Sequence, residues 1–252
     1  MSSSKLVRRF VSRLPRGKGI AGRLISRHGR TDTFEMIGPL EGLRMQLDTA
    51  DQFQALMSCG AYQGDLVAEL QRTVKPNDVI LTAGAHVGYM MLAMARMGGR
   101  VIGFECDPNL ADLCQRNLDL NSLNTTLIRA GLGSEDTDLE MNISEHPGQS
   151  SFGVAHYSES KATVKVRRGD NVLKELGLER LDGLLIDVEG WECHLLRGLS
   201  ETLAKQTPRW AVIECADWAL DQAGSSVAEL RSMIRDIGWE TTEMGSDLIC
   251  RR

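Results

Sequence analysis

The chain has 252 residues, 42% hydrophobic and 25% charged, with 29 Lys and Arg set against 34 Asp and Glu. That length and balance suit a folded domain with a sizeable core and exclude a disordered or low-complexity protein. The net charge of −5 leaves no broad basic footprint for nucleic acid, and no apolar run reaches the ~18 residues of a membrane helix. The six cysteines are scattered without a Cys-x-x-Cys pair. This disfavours a zinc site or a disulfide framework and fits a reducing cytoplasm, as does the lack of an apolar signal segment after the first basic residues.

Residues 1–30 hold nine Lys or Arg and no acid. Leu6, Val7, Phe10, Val11 and Leu14 recur at helical spacing beside Arg8, Arg9 and Arg13, which predicts a short basic amphipathic helix ended by Pro15. Such a helix either docks on an anionic membrane surface or packs its apolar face on the domain with its arginines in water. Thr33–Ile37 and Leu43–Leu47 read as a β-hairpin covering one edge of the main domain. Asp51 to Met57 and Asp65 to Thr73 read as helices, with Asp51 and Asp65 as N-caps. This divides the chain into an N-terminal extension, residues 1–60, and a main domain, residues 61–252.

The pattern sharpens between Asp78 and Asp107. Val79–Ala83 is a short buried-strand run, Gly84–Gly88 a small-residue turn, Tyr89–Met97 a helix, and Arg100–Phe104 a second strand that ends on Glu105. Strand, glycine turn, helix, strand and terminal carboxylate form the first half of a nucleotide-binding α/β sheet. The turn lets the backbone approach a ligand, the helix start offers free N–H groups, and Glu105 is placed to accept both hydroxyls of a ribose. The plain structural alternative is a tight packing turn followed by a solvated acid. With glycines only at 84 and 88, the Gly-x-Gly-x-x-Gly of dinucleotide enzymes is not met, so a nicotinamide or flavin cofactor is disfavoured.

Beyond it, Pro108 opens a helix to about Asn121, and Thr125–Arg129 is a third strand followed by Ala130-Gly131. From Ser134 to Gly169 the βα rhythm lapses into β-rich pieces (138–143, 151–155, 163–167) around the polar stretch Ser144–Ser150, a candidate flap over the carboxyl ends of the strands. A short helix (170–176), a fourth strand (181–188), a helix (191–199), a fifth strand (210–215), a helix (227–237) and a final antiparallel pair (239–244, 247–251) complete the chain. The sum is a seven-stranded, mostly parallel α/β sheet with an antiparallel C-terminal hairpin. Asp187, Glu189 and Glu214 fall at the carboxyl ends of the fourth and fifth strands. A period of two puts Asp187 and Glu189 on one face if the strand continues that far. Such acids act as general base for an acceptor hydroxyl, hold a divalent cation, or simply cap a helix.

Three blocks together resemble the FkbM-type S-adenosylmethionine-dependent methyltransferases over roughly residues 60–215. They are Thr82-Ala83-Gly84-Ala85-His86-Val87-Gly88, Phe104-Glu105-Cys106-Asp107-Pro108 and Leu185-Ile186-Asp187-Val188-Glu189-Gly190. The resemblance implies a Rossmann-like class I methyltransferase fold and S-adenosyl-L-methionine as cofactor; no metal ligands are assigned, and metal dependence stays open. It implies cofactor contacts from Thr82, Gly84, Ala85, His86, Gly88, Glu105, Asp107, Ala130 and Asp187, and catalytic roles for Asp187, Glu189 and His86. It further implies O-methylation of a sugar or other small-molecule or glycan hydroxyl, and it matches Ser150-Ser151 to a Ser-Ser pair in the flap. His156, also in the flap, is a secondary base candidate, while His28, His146 and His194 read as surface residues. Two positions depart from the family pattern: Thr82 stands for an acid that helps hold the cofactor's amino end, and Leu185 stands for a lysine. These departures support a different expectation, a non-catalytic methyltransferase-like binding subunit that works through its basic N-terminus.

Overall fold

The computed structural model describes Arg8, Val11, Ser26, residues 29–144, Ser150, Phe152 and residues 158–252. The amphipathic helix expected over residues 6–14 lies outside these apart from Arg8 and Val11, which are both helical. Strand β1 (Thr31–Glu35) pairs antiparallel with β2 (Arg44–Asp48), one to two residues off the expected hairpin. The hairpin forms a two-stranded sheet of its own and does not extend the main sheet. It lies over one face, because Asn117, fully buried, accepts from Gln46 N at 2.6 Å and donates to Gln46 O and to Val87 O. Helix α1 (Gln52–Ser58) is capped by Asp51, whose side chain accepts from Gln54 N. Helix α2 (Gly64–Thr73) starts from Gln63, so Asp65 sits in its first turn and favours the positive end of the dipole without capping it.

The central unit runs β3 (Val79–Ala83), α3 (Tyr89–Arg96), β4 (Arg100–Phe104), α4 (Pro108–Asp119) and β5 (Thr125–Ile128). An excursion follows: β6 (Gly131–Gly133), β7 (Thr137–Ser144) and β8 (Ser158–Arg168) form their own three-stranded sheet, and α5 (Gly169–Glu175) leads back. The second half is β9 (Gly183–Ile186), α6 (Glu192–Gly198), α7 (Ser200–Lys205), β10 (Trp210–Glu214), α8 (Asp217–Gln222), α9 (Val227–Ile237), β11 (Glu240–Met244) and β12 (Asp247–Arg251). The main sheet has seven strands in the order β11-β12-β10-β9-β3-β4-β5, all parallel except β12, which inserts antiparallel between β10 and β11. This is the expected fold.

Both faces of the sheet are covered, and the strands are apolar on both sides for that reason. Ile80, Val101 and Leu185 face a core built with α2, α3, α4 and the hairpin residues Met45 and Leu47. Leu81, Ala83, Ile102, Ile186 and Ile213 face another core built with α5, α6 and α9. The order reverses between β3 and β9, and a crevice opens at such a reversal because successive helices leave to opposite faces.

Arg8, only 9% exposed, is not among solvated arginines. Its Nη1 donates to Glu35 O at 3.3 Å and Ser58 O at 3.0 Å, with the guanidinium 5.1 Å from the Phe34 ring centre. It therefore ties the N-terminal segment to the hairpin and α1, and this arginine is not presented to a membrane headgroup. Arg8→Ala is expected to cost about 1–3 kcal/mol, because two carbonyls lose a charged donor. A fall in the urea midpoint at unchanged slope checks this. No helix among the described residues is long and apolar enough to cross a membrane.

Candidate active site

A cleft of about 460 Å³ opens at the strand-order reversal, over the carboxyl ends of β3, β4, β9 and β10. Its first wall is the glycine turn. Gly84 has φ +82°, and a Cβ there would lie 1.7 Å from Asp187 O, so only glycine fits where the ends of β3 and β9 close together. The amides of Gly84 and Ala85 both donate to Phe104 O, which fixes the turn against β4. This glycine thus closes the packing between β3 and β9 and also lines the cleft.

Glu105, 7% exposed, lines the cleft rather than solvent. One carboxyl oxygen accepts from His86 N at 2.7 Å and the other from Asp107 N at 2.9 Å, which orients the group and leaves lone pairs for a ligand. Burial raises its pKa to about 7, against the opposing pull of these hydrogen bonds. On the β5 side, Leu110, Ala130, Gly131, Leu132, Met141 and Phe152 make the cleft wall apolar. An apolar wall followed by a carboxylate that accepts from a diol is the combination an adenosine requires.

On the β9–β10 side, carboxylate oxygens of Asp187, Glu189 and Glu214 all lie within 4.8 Å of one another. Strand alternation does not bring Asp187 and Glu189 together as expected. Strand β9 ends at Ile186, and Glu189 is carried round by a turn in which it adopts φ +52° and Gly190 φ +99°. Glu192, 1% exposed, holds that turn by accepting from Val188 N at 3.3 Å and Gly190 N at 3.2 Å. Burial, then the neighbouring acids, raises Glu189 to about 8 and Glu214 to about 10; Asp187 is also raised, by burial first. Like charges this close do not all ionise without a cation between them.

Backbone strain gathers here as well. Of the four non-glycine residues with positive φ among those described, Gln63, His86 and Glu189 line this cleft, and Asn77 lies in a turn elsewhere. Each costs about 1–3 kcal/mol and persists where surrounding structure enforces it.

The expected site residues divide accordingly. Gly84, His86, Glu105, Ala130, Asp187 and Glu189 line the cleft, with Glu214 beside them. Ala85 lines only a smaller recess behind it. Three others depart from the expected cofactor contacts. Thr82, 1% exposed inside β3, is not among the lining residues. Gly88 starts α3 and packs toward Cys114 and Leu118. Asp107 caps α4 by accepting from Asn109 N and Leu110 N, while its other oxygen accepts from Ser150 Oγ at 2.9 Å. Its oxygens are thus engaged before any ligand arrives, and its amide is what serves Glu105. His194 is not a plain surface residue: its ring stacks on Trp191 at 3.9 Å. His28, His146, Ser151 and His156 lie outside the described residues.

Residues that the sequence did not disclose complete the walls. Phe53 and Leu56 come from α1, Tyr62 and Gln63 from the loop before α2, Trp191 from the start of α6, and Trp218 from α8. Trp218 (59% exposed) and Phe53 (41%) are the most exposed large apolar side chains described, ahead of Leu176. Apolar residues left open at a rim are the signal that could have marked them. From the excursion, Met141, Ser150 and Phe152 reach the cleft, and Phe152 meets Trp191 at 4.9 Å.

Comparison with known proteins decides what this cleft belongs to. Residues 82–241, well over half of the chain, match the family model described as the methyltransferase FkbM domain. The chain belongs to the FkbM methyltransferase family. The methyl donor of this family is S-adenosylmethionine, and the apolar wall, Glu105 and the acid cluster suit its adenine, ribose and cationic end. Among curated relatives, the methyltransferase sdnD of Sordaria araneosa is 26% identical over 200 residues, covering 66% of this chain and 75% of sdnD. The hexuronic acid methyltransferase AglP of Haloferax volcanii is 23% identical, covering 60% of this chain and 61% of AglP. The AMB antimetabolite synthetase AmbE of Pseudomonas aeruginosa is 25% identical over 66% of this chain, but the match spans only 10% of AmbE.

Proposed function

We propose that this FkbM-family chain transfers the methyl group of S-adenosylmethionine to a hydroxyl oxygen of an uncharged, hydroxyl-rich acceptor such as a sugar. The observation that carries this reading is the charge of the cleft wall: Glu105, Asp187, Glu189 and Glu214 line it, with no Lys or Arg among the lining residues described. A carboxylate or phosphate on the acceptor would meet repulsion and no cation, whereas a hydroxyl finds acceptor oxygens and, at the rim, the aromatic faces of Trp218 and Phe53. In this respect the cleft is built differently from one meant for an acidic sugar, even though one relative is named for hexuronic acid.

The bound donor supplies an activated methyl on a sulfonium. The chain positions the acceptor oxygen, excludes water and takes the hydroxyl proton. Glu189 suits the last task. It lines the cleft on a fixed, left-handed turn, and its pKa of about 8 lies near a working pH. His86 does not suit it, since burial lowers its pKa to about 4 and leaves a weak base. The non-catalytic reading drew on Thr82 and Leu185, yet Thr82 lines neither space and Leu185 meets only the smaller recess behind the cleft.

The test uses S-adenosylmethionine labelled in the methyl group and a panel of neutral hexosides, glucuronate and hexose phosphates. Label is expected on the neutral sugars as an ether that survives mild alkali. Label released by alkali as an ester, or confined to the acidic sugars, would overturn the reading.

A further inference from the structure

One wall of the cleft has no task in the donor reading above. The apolar wall, Glu105 and the acid cluster all come from residues within 82–241. Phe53, Leu56, Tyr62 and Gln63 line the same cleft from α1 and the loop before α2, ahead of that span. Phe53 is open to solvent at the rim, and its ring stands edge-on to Tyr62 with 6.2 Å between centres. Tyr62 lies close to the acids: burial first, then the charges of Asp187, Asp51, Glu189 and Glu214, push its phenol up, so the hydroxyl keeps its proton. Tyr62 and Gln63 also line the recess behind the cleft, as Asp187 does. This wall therefore runs from solvent to the acids, the route by which an acceptor approaches Glu189.

Gln63 is an awkward residue for its place by local rules. Its φ of +42° and ψ of +46° lie in the left-handed region, where glycine or asparagine sits at less cost. It also precedes the first turn of α2, a position where Ser, Thr, Asp or Asn would cap the helix, yet its side chain makes no capping hydrogen bond. Its backbone is nonetheless held firmly, because its carbonyl accepts from Val67 N at 3.0 Å and the neighbouring Tyr62 ring packs edge-on against Tyr89 at 5.6 Å. A glutamine that serves neither the turn nor the helix presents its amide from a fixed base at the cleft wall. An amide both donates and accepts, as a hydroxyl does, and it brings no charge into a cleft already crowded with acids. We infer that Gln63 determines acceptor specificity: its side-chain amide hydrogen-bonds a hydroxyl of the acceptor other than the one that is methylated, on the wall it shares with Phe53, Leu56 and Tyr62. This rests on the neutral-acceptor reading above and deepens it, since a second hydroxyl on the same molecule is then required for good turnover.

The test measures transfer of labelled methyl from S-adenosylmethionine to methyl glucoside, methyl galactoside and methyl mannoside, and to the monodeoxy analogues of each. Two variants of the full chain are compared with the parent: Gln63→Gly, which relieves the left-handed backbone and removes the amide, and Gln63→Met, which keeps the length and bulk without the amide. In the parent, removal of one particular hydroxyl should lower kcat/KM by about tenfold, the effect of a buried hydrogen-bonding group left unpaired. Both variants should lose about as much on the intact hexoside, mainly through KM, and should treat it and that deoxy analogue alike. S-adenosylhomocysteine affinity, read by titration, should stay at the parent's value. A parent indifferent to every deoxy analogue, or variants that keep the parent's discrimination whatever their overall rate, overturns the inference. So does a fall in S-adenosylhomocysteine affinity with discrimination intact, which would assign the amide to the donor. Should Gln63→Gly fail to fold, Gln63→Met decides by the same comparison. A parent that labels none of the hexosides overturns the neutral-acceptor reading itself, and this inference with it.

Discussion

Glu105→Ala is expected to reduce the affinity for S-adenosylhomocysteine by about a hundredfold or more. A buried carboxylate gripping two ribose hydroxyls makes two charge-assisted hydrogen bonds, each worth about 1.5–3 kcal/mol, and tenfold in affinity is about 1.4 kcal/mol. The alanine variant also strips the amides of His86 and Asp107 of their acceptor, loosening the turn that shapes the cleft. Titration of adenosine against 2′,3′-dideoxyadenosine isolates the sugar contact. The parent should discriminate strongly between them and the variant hardly at all. Equal discrimination in both proteins would mean that Glu105 merely staples the backbone. Since burial lifts this group to about 7, the free protein must shed a proton to offer a carboxylate, so affinity should fall as pH drops below that value.

Glu189→Gln is expected to lower kcat by about 10² to 10⁴, the usual range for loss of a positioned general base, with S-adenosylhomocysteine affinity changed little. The pH dependence distinguishes a base from a group that only shapes the pocket. A base with its pKa raised to about 8 is protonated, and inactive, below that pH, so kcat/KM in the parent should rise with pH and level off above about 8. In the glutamine variant that limb should vanish and leave a low, flat profile. A variant that keeps the limb moves the proton transfer to another group of the cluster, Glu214 being the next in the cleft wall.

The two effects separate the parts of the site. In the proposed reaction Glu105 serves the donor and Glu189 the acceptor, while Glu192 touches neither and pins the Val188–Gly190 turn on which Glu189 rides. That turn also depends on Gly190, where a Cβ would lie 2.1 Å from Ala219 O. The acid cluster, the strained turn and the rim tryptophan of α8 are therefore packed as one unit.

Much of this was written in local sequence. The strand β4 ends at Phe104 because an apolar run stops at an acid, helix α4 begins at Pro108 after a capping Asp107, and helix α9 stops at Gly238, which takes φ +88°. Period, caps and glycines act over a few residues, so the seven core strands, the glycine turn and Glu105 could be read one after another along the chain. Local pattern could not tell that β9 ends at Ile186, since Asp187 and Val188 continue the same apolar-acid rhythm while the chain has already turned. Nor could it show that Asp107 spends its oxygens on a helix and Ser150, that Thr82 is shut inside β3, or that Arg8 is buried beneath the hairpin. Those facts, together with the meeting of Tyr89, His86, Asp187 and Asp247 around one recess, depend on bringing together residues up to 161 positions apart. The sequence by itself determined the elements, the family blocks and the acid that ends β4. The packing of both halves of the sheet decided which acids face one another and which are spent on structure, because a side chain's neighbours across a fold are set by the closing of the sheet and not by its place in the chain.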